Sequence, residues 1–216
     1  MPQTMNEFIR TSACHPVEGR NTKFVHTFGG ELESPVFPPY GKSPCHLLYT
    51  IDTEDPLFPV RIPGVRSLPL IYCFQYNAAA MAYRLKDGAI VIDWIEYLDW
   101  SKDFPYDDYP ASFPQRDITL VQADLDTIRR LEASGEETMD SGSRFGGWHF
   151  LCQGVPDASC RNPNCEGGSM DVFGVIYNNP VEGVRLWSPD QDWDDIETIF
   201  QICRSCASIY VCNRCT

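Results

Sequence analysis

Short runs of β-branched and aromatic residues, set between Gly, Pro, Asn and Asp, dominate the chain, and they predict strands. Leu47–Ile51 (Leu-Leu-Tyr-Thr-Ile) and Leu68–Tyr76 (Leu-Pro-Leu-Ile-Tyr-Cys-Phe-Gln-Tyr) are two such runs. Between Met81 and Trp94, Asp87-Gly88 joins two β-forming runs, as the tight primed turn of a hairpin requires. Only one segment carries helical spacing: Ala123–Ser134 has Asp124 at its start, Leu125, Ile128 and Leu131 three apart, and Gly135 as a stop. Strands are predicted again at Trp148–Cys152, Met170–Tyr177, Val184–Trp187, Ile196–Ile202 and Ala207–Val211. The first 25 residues show neither period and read as loop or a short edge element. Pro35, Pro38 and Pro39 deny the segment from Phe24 to Pro39 a helix and suggest an extended surface path.

The same features occur twice in the same order, which predicts an internal repeat. Phe28-Gly29-Gly30 matches Phe145-Gly146-Gly147, Cys45 before an apolar strand matches Cys165 before Met170–Tyr177, and Leu70-Ile71-Tyr72-Cys73 matches Phe200-Gln201-Ile202-Cys203. The predicted fold is therefore α+β and strand-rich, with few helices and two structurally similar halves built on antiparallel sheets. Residues 1–135 would form the first half and 136–216 the second, with the Gly, Ser and Glu-rich Ser134–Arg144 between them.

Composition narrows what such a fold could do. With 43% hydrophobic and 12% aromatic residues over 216 positions, the chain can bury a core without disulfides. Seventeen Lys and Arg against 30 Asp and Glu leave a net charge of −13, which opposes direct nucleic-acid binding and anionic membranes and favours a basic protein partner. The excess has a focus: Asp93–Asp108 holds six acids and one Lys, a local charge of −5, among five aromatic residues. Within it Asp99, Asp103, Asp107 and Asp108 would steer a cationic partner, with Trp100, Phe104 and Tyr106 as its anchors. The N-terminus has no cationic start before an apolar run, and no stretch reaches the roughly 18 apolar residues of a membrane span, so a cytoplasmic location is expected.

In a reducing compartment, closely spaced cysteines are tested first as metal ligands. Cys160-Arg-Asn-Pro-Asn-Cys165 and Cys203-Arg-Ser-Cys206 supply four thiolates on two short loops, the donor set of a structural Zn2+. Pro163 and Gly167-Gly168 favour the tight turns such loops need. Cys212-Asn-Arg-Cys215 adds a further pair, but a strand from Ala207 to Val211 would separate Cys206 from Cys212 by roughly 20 Å. That pair is either a second metal site or a spare thiol pair. A Cys-x-x-Cys redox role stays open beside the metal reading. Asp190–Asp195 begins like a calcium loop but has Asp195 where Gly is needed and Gln201 where Glu is needed. His149 and Cys152, three apart on a predicted strand, fall on opposite faces and do not form a nucleophile and base.

The Gly-Gly turn, the paired cysteines, the apolar strand with a polar turn and Phe200-Gln-x-Cys-x-x-Cys206 resemble the YwqG-like domain family. They also resemble the related C-terminal domain of the programmed-cell-death-2 proteins. The resemblance is strongest over 145–206. It implies a duplicated α+β build with zinc-type cysteines, in which Tyr40 and Tyr76 align with Cys160 and Cys206 and leave only Cys45 and Cys73 in the first half. His46 could add a third ligand there. For function the resemblance implies either an immunity protein that neutralises a basic toxin or a chaperone for a basic nucleic-acid-binding protein. No catalytic constellation is read, so a non-enzymatic role is expected.

Overall fold

The protein is described by a computed structural model over residues 9, 11–39, 41, 43–74, 78–97, 109–134, 142–147, 154, 156, 158–187 and 196–215. Its strands are β1 (Ala13–Glu18), β2 (His26–Phe28), β3 (His46–Asp52), β4 (Ser67–Tyr72), β5 (Ala78–Lys86), β6 (Ala89–Tyr97), β7 (Arg116–Gln122), β8 (Arg144–Gly146), β9 (Met170–Tyr177), β10 (Ile196–Cys203) and β11 (Ile209–Cys215). A helix, α1 (Leu125–Ser134), lies between β7 and β8. The strands form a single sheet in the order β4-β3-β2-β7-β1-β8-β9-β10-β11-β5-β6, antiparallel at every pairing. The protein is thus strand-rich, with strands from both sides of residue 135 in one sheet.

Local chemistry accounts for most of these elements. Asp87 and Gly88 both have positive φ, 52° and 80°, so the β5/β6 hairpin turns as a primed turn must. Asp124 caps α1 by accepting the Asp126 and Thr127 N–H groups at 3.1 and 3.3 Å. Pro69 lies in β4, the outermost strand, where a missing N–H costs no ladder bond. Its carbonyl instead accepts the Tyr83 hydroxyl at 2.9 Å.

Three expectations are corrected. Residues 13–18 are not a loop or edge element: β1 is central, paired with β7 through Cys14–Glu18 and with β8 through Ala13 and Cys14. Pro16 hid it, and the strand tolerates that proline because β8 pairs only with its first two residues. Val184–Trp187 is not a strand, because the buried Asn178 side chain takes the Leu186 and Trp187 N–H groups at 3.0 and 2.7 Å. The last strand starts two residues later than predicted, since Ala207 turns with φ 58°. β7 was not foreseen, although Ile118 and Leu120 alternate inward with the outward-facing Asp117, Thr119 and Val121.

Most buried apolar side chains form one core, which includes Phe28, Tyr49, Phe58, Tyr72, Phe145, Phe173 and Phe200. A smaller cluster of Ala80, Val175, Ile199 and Cys212 packs apart from it, with Trp94 and Tyr210 against it. The β9/β10/β11 meander belongs to both clusters and carries the cysteine loops at one end.

Candidate metal centre

Two turns bring the four predicted ligands together. Ser159 and Ser169 form an isolated antiparallel bridge that closes the first loop. Inside it Asn162 accepts Cys165 N–H on its carbonyl and Asn164 N–H on its side chain, both at 3.0 Å. Gly167 has φ 92°, and a Cβ at Gly168 would run into Cys203 Sγ and the Ser205 side chain. Two adjacent glycines are therefore required for different reasons, one conformational and one steric. The second turn continues β10 and β11: Cys203 N–H donates to Ser208 O at 2.8 Å, and Ala207 N–H returns to Cys203 O at 3.0 Å. Arg204 N–H donates to Ser169 O at 3.1 Å, and its guanidinium grips the Asp171 carboxylate with contacts of 2.5 and 2.6 Å. The two turns are thereby fastened to each other through β9.

Cys160, Cys165, Cys203 and Cys206 present Sγ atoms that all lie within 4.8 Å of one another. Cys160 and Cys206 are 3.4 Å apart and Cys165 and Cys203 3.9 Å, so these close contacts run between the loops rather than within the Cys-x-x-Cys. A tetrahedron of sulfurs about 2.3 Å from a metal has edges of about 3.8 Å, which these contacts bracket. The four are close enough to hold a metal ion. Cys203 is buried and the others are half-buried. Burial raises the Cys206 thiol, but hydrogen bonds from Ser208 and Asn162 outweigh it and bring the group down to about 6. Burial pushes the Cys160 thiol up, with further upward pressure from the other three cysteines. Crowded sulfurs of this kind resist losing all four protons unless a cation sits among them.

The loop is also held from outside. Arg161 lies over the Trp94 ring of β6 at 4.5 Å, and Trp94 stacks on Tyr210 of β11 at 6.1 Å and 17°. Sequence reasoning missed Asn162, Ser208 and the Arg161 contact; only the Gly167-Gly168 pair left a readable signal.

The other candidates sort differently. Cys212 is buried in the smaller apolar cluster on β11, away from the four. Among the described residues, no other group of three or more side chains could hold a metal. Cys45 and Cys73 are buried beside each other, and His46 turns its Nε2–H to Pro110 O at 2.7 Å among Phe74, Tyr109 and Phe113. The partner-binding candidates Asp99, Trp100, Asp103, Phe104, Tyr106, Asp107 and Asp108 lie outside the described residues, as do Tyr40, Tyr76, His149, Cys152 and the whole of Asp190–Asp195. Of the acidic segment, Asp93 is described and is bound to Arg84 at 3.1 Å. No helix among the described residues is long and apolar enough to cross a membrane. No family model matches the chain, and no match is found among curated proteins or solved structures.

Proposed function

We propose that the protein is a non-enzymatic binding protein whose cysteine corner is held by one structural Zn2+ and whose acidic segment captures a basic protein, a toxin that it neutralises. The observation that carries the zinc half of this reading is the set of four Sγ atoms within 4.8 Å, joined by contacts that cross between two loops. Zinc accepts four thiolates in a closed tetrahedron with no position left for a substrate, as structural sites require. The protein's own groups do the rest: Asn162 and Ser208 favour the thiolate of Cys206, Gly168 leaves room for Cys203, and Arg204 with Asp171 holds the two turns in register. Support for a binding role comes from the charge of −13 and its concentration in Asp93–Asp108.

The fold reading that goes with it is a duplicated α+β unit. Strand order favours it, since β4-β3-β2-β7, read inward to the β7/β1 pair, is mirrored by β10-β9-β8-β1, with β2 and β8 each leading into a Phe-Gly-Gly sequence. Protein purified without chelator should contain one zinc per chain by elemental analysis, and a zinc-free, fully folded preparation would refute the metal. Capture of a basic partner should be salt-sensitive and lost when Asp99, Asp103, Asp107 and Asp108 are changed to Asn. Unchanged capture would remove that segment from the function.

A further inference from the structure

Cys45 and Cys73 stand just outside the ends of two paired strands. β3 begins at His46, β4 ends at Tyr72, and these residues are Cα partners. One step outward along an antiparallel ladder sets Cys45 opposite Cys73. Their side chains interact with each other, and each is an unbridged thiol, with exposures of 4% and 1%. Cys45 is fixed in place by its N–H, which donates to Val36 O at 2.7 Å, and by the neighbouring His46. The site lies in the main core beside Tyr72 and Phe74. Two thiolates around a monovalent metal ion would leave a net negative charge there, whereas a disulfide is neutral. A thiol is only a weak donor, so little is lost when the S–H groups go.

We infer that Cys45 and Cys73 are a redox-dependent staple that closes to a disulfide in the presence of a low-molecular-weight disulfide and so fixes strand β4 to β3. The Cys73 thiolate attacks the reagent disulfide, releasing one small thiol and forming a mixed disulfide. The Cys45 thiolate then attacks the Cys73 sulfur and releases the second small thiol. Two protein S–H bonds are exchanged for one S–S bond, and the reagent is reduced to two thiols. Access comes from the edge: among the described residues no strand pairs with the outer side of β4, where only the Tyr83 hydroxyl bonds Pro69 O and Ile71 N–H, so its end can open without breaking a second ladder. The contact with Cys73 and burial both hold the Cys45 thiol well above its ordinary value, which makes this a slow staple rather than a fast sensor. Closing the loop that contains residues 46–72 restricts the unfolded chain and raises stability.

The test uses the full-length, metal-loaded protein treated with oxidised glutathione, then quenched, alkylated in denaturant and digested with trypsin. Peptides 43–61 and 67–84 each contain a single cysteine. They should appear joined, about 2 Da lighter than the sum of the free peptides, and separate on reduction. The oxidised protein should melt several degrees higher, and Cys45→Ala should not respond to the oxidant. Both peptides recovered alkylated, bridged to other cysteines, or left as glutathione adducts would overturn the proposal. A bond that forms without raising the melting temperature would overturn the staple. The peptide map of the wild-type protein decides the chemistry even if the alanine variant fails to fold.

Discussion

Two corners of the same sheet are closed by opposite chemistry. Where β9 meets β10, four sulfurs converge from turns made of Gly, Asn and Ser, and three of the four remain half-buried. Where β3 meets β4, two buried thiols sit beside an aromatic cluster in which Phe74 lies 4.8 Å from Trp187, 4.9 Å from Tyr72 and 5.5 Å from Phe113. Each strand pair carries a register shift, between Leu47 and Tyr49 in one and between Phe200 and Gln201 in the other. A strand end can thus be closed by volume or by ligands. Aromatic closure needs a ring on every side, and ligand closure needs backbone turns tight enough to aim four short side chains inward.

Removing the ring should give the largest effect. Phe74→Ala deletes a fully buried side chain at the centre of the aromatic corner and should cost about 3–5 kcal/mol in denaturant unfolding. Chelator should not change that loss. Cys203→Ser, in contrast, should destabilise strongly in metal and converge on the wild type once chelator has stripped both proteins. If the two substitutions respond alike to chelator, the corners are not closed by different means.

The next effect concerns the far end of β10, where the metal-ligand region buries a carboxyl while β4 carries no charged side chain. Glu197 is 2% exposed, and its Oε2 has no hydrogen-bond partner. Burial raises it from 4.5 to about 7, against a lowering hydrogen bond from Tyr177. The folded protein therefore binds this proton more tightly than the unfolded chain does, and stability falls as pH rises from about 4.5 to about 7. Glu197→Gln keeps the shape without the charge. It should stabilise by roughly 2–3 kcal/mol at pH 8 and make little difference at pH 5. Equal effects at the two pH values would refute the raised carboxyl.

A smaller loss should follow from Gly168→Ala, whose Cβ would meet Cys203 Sγ. Zinc affinity, read by competition with a chromophoric chelator, should fall at least about tenfold, or about 1.4 kcal/mol. The same substitution at Gly88, where a Cβ meets nothing within 4 Å, should leave zinc affinity unchanged.

The metal ligands were legible because spacing alone carries their chemistry: Cys160, Cys165, Cys203 and Cys206 were expected together and are together. The β5/β6 hairpin and α1 were legible through Asp87-Gly88 and Asp124, whose roles are local. β1 was not, because a proline in mid-strand is excused only by which neighbour stops pairing, a fact of tertiary structure. Nor was the fate of Val184–Trp187, which turns on the buried amide of Asn178. The supports around the cysteines escaped for the same reason. Nothing in the spacing of Asn162, Ser208, Arg161 or Trp94 marks them as neighbours.

Arg161→Ala probes the weakest contact of the ligand corner. Arg161 follows the first ligand, and its guanidinium lies over Trp94, which stacks on Tyr210, so one side chain links the ligand loop to β6 and β11. Truncating it removes a cation–π contact of about 0.5–1 kcal/mol and leaves all four sulfurs. If the loop is held chiefly by its metal, zinc-loaded protein should lose no more than this, and zinc affinity should barely change. If the Trp94 contact positions the loop beforehand, the variant should instead bind zinc several-fold more weakly, and the metal-free protein should lose stability as well. The ligand corner would then depend on an aromatic surface too, and the contrast with the Phe74 corner would be one of degree.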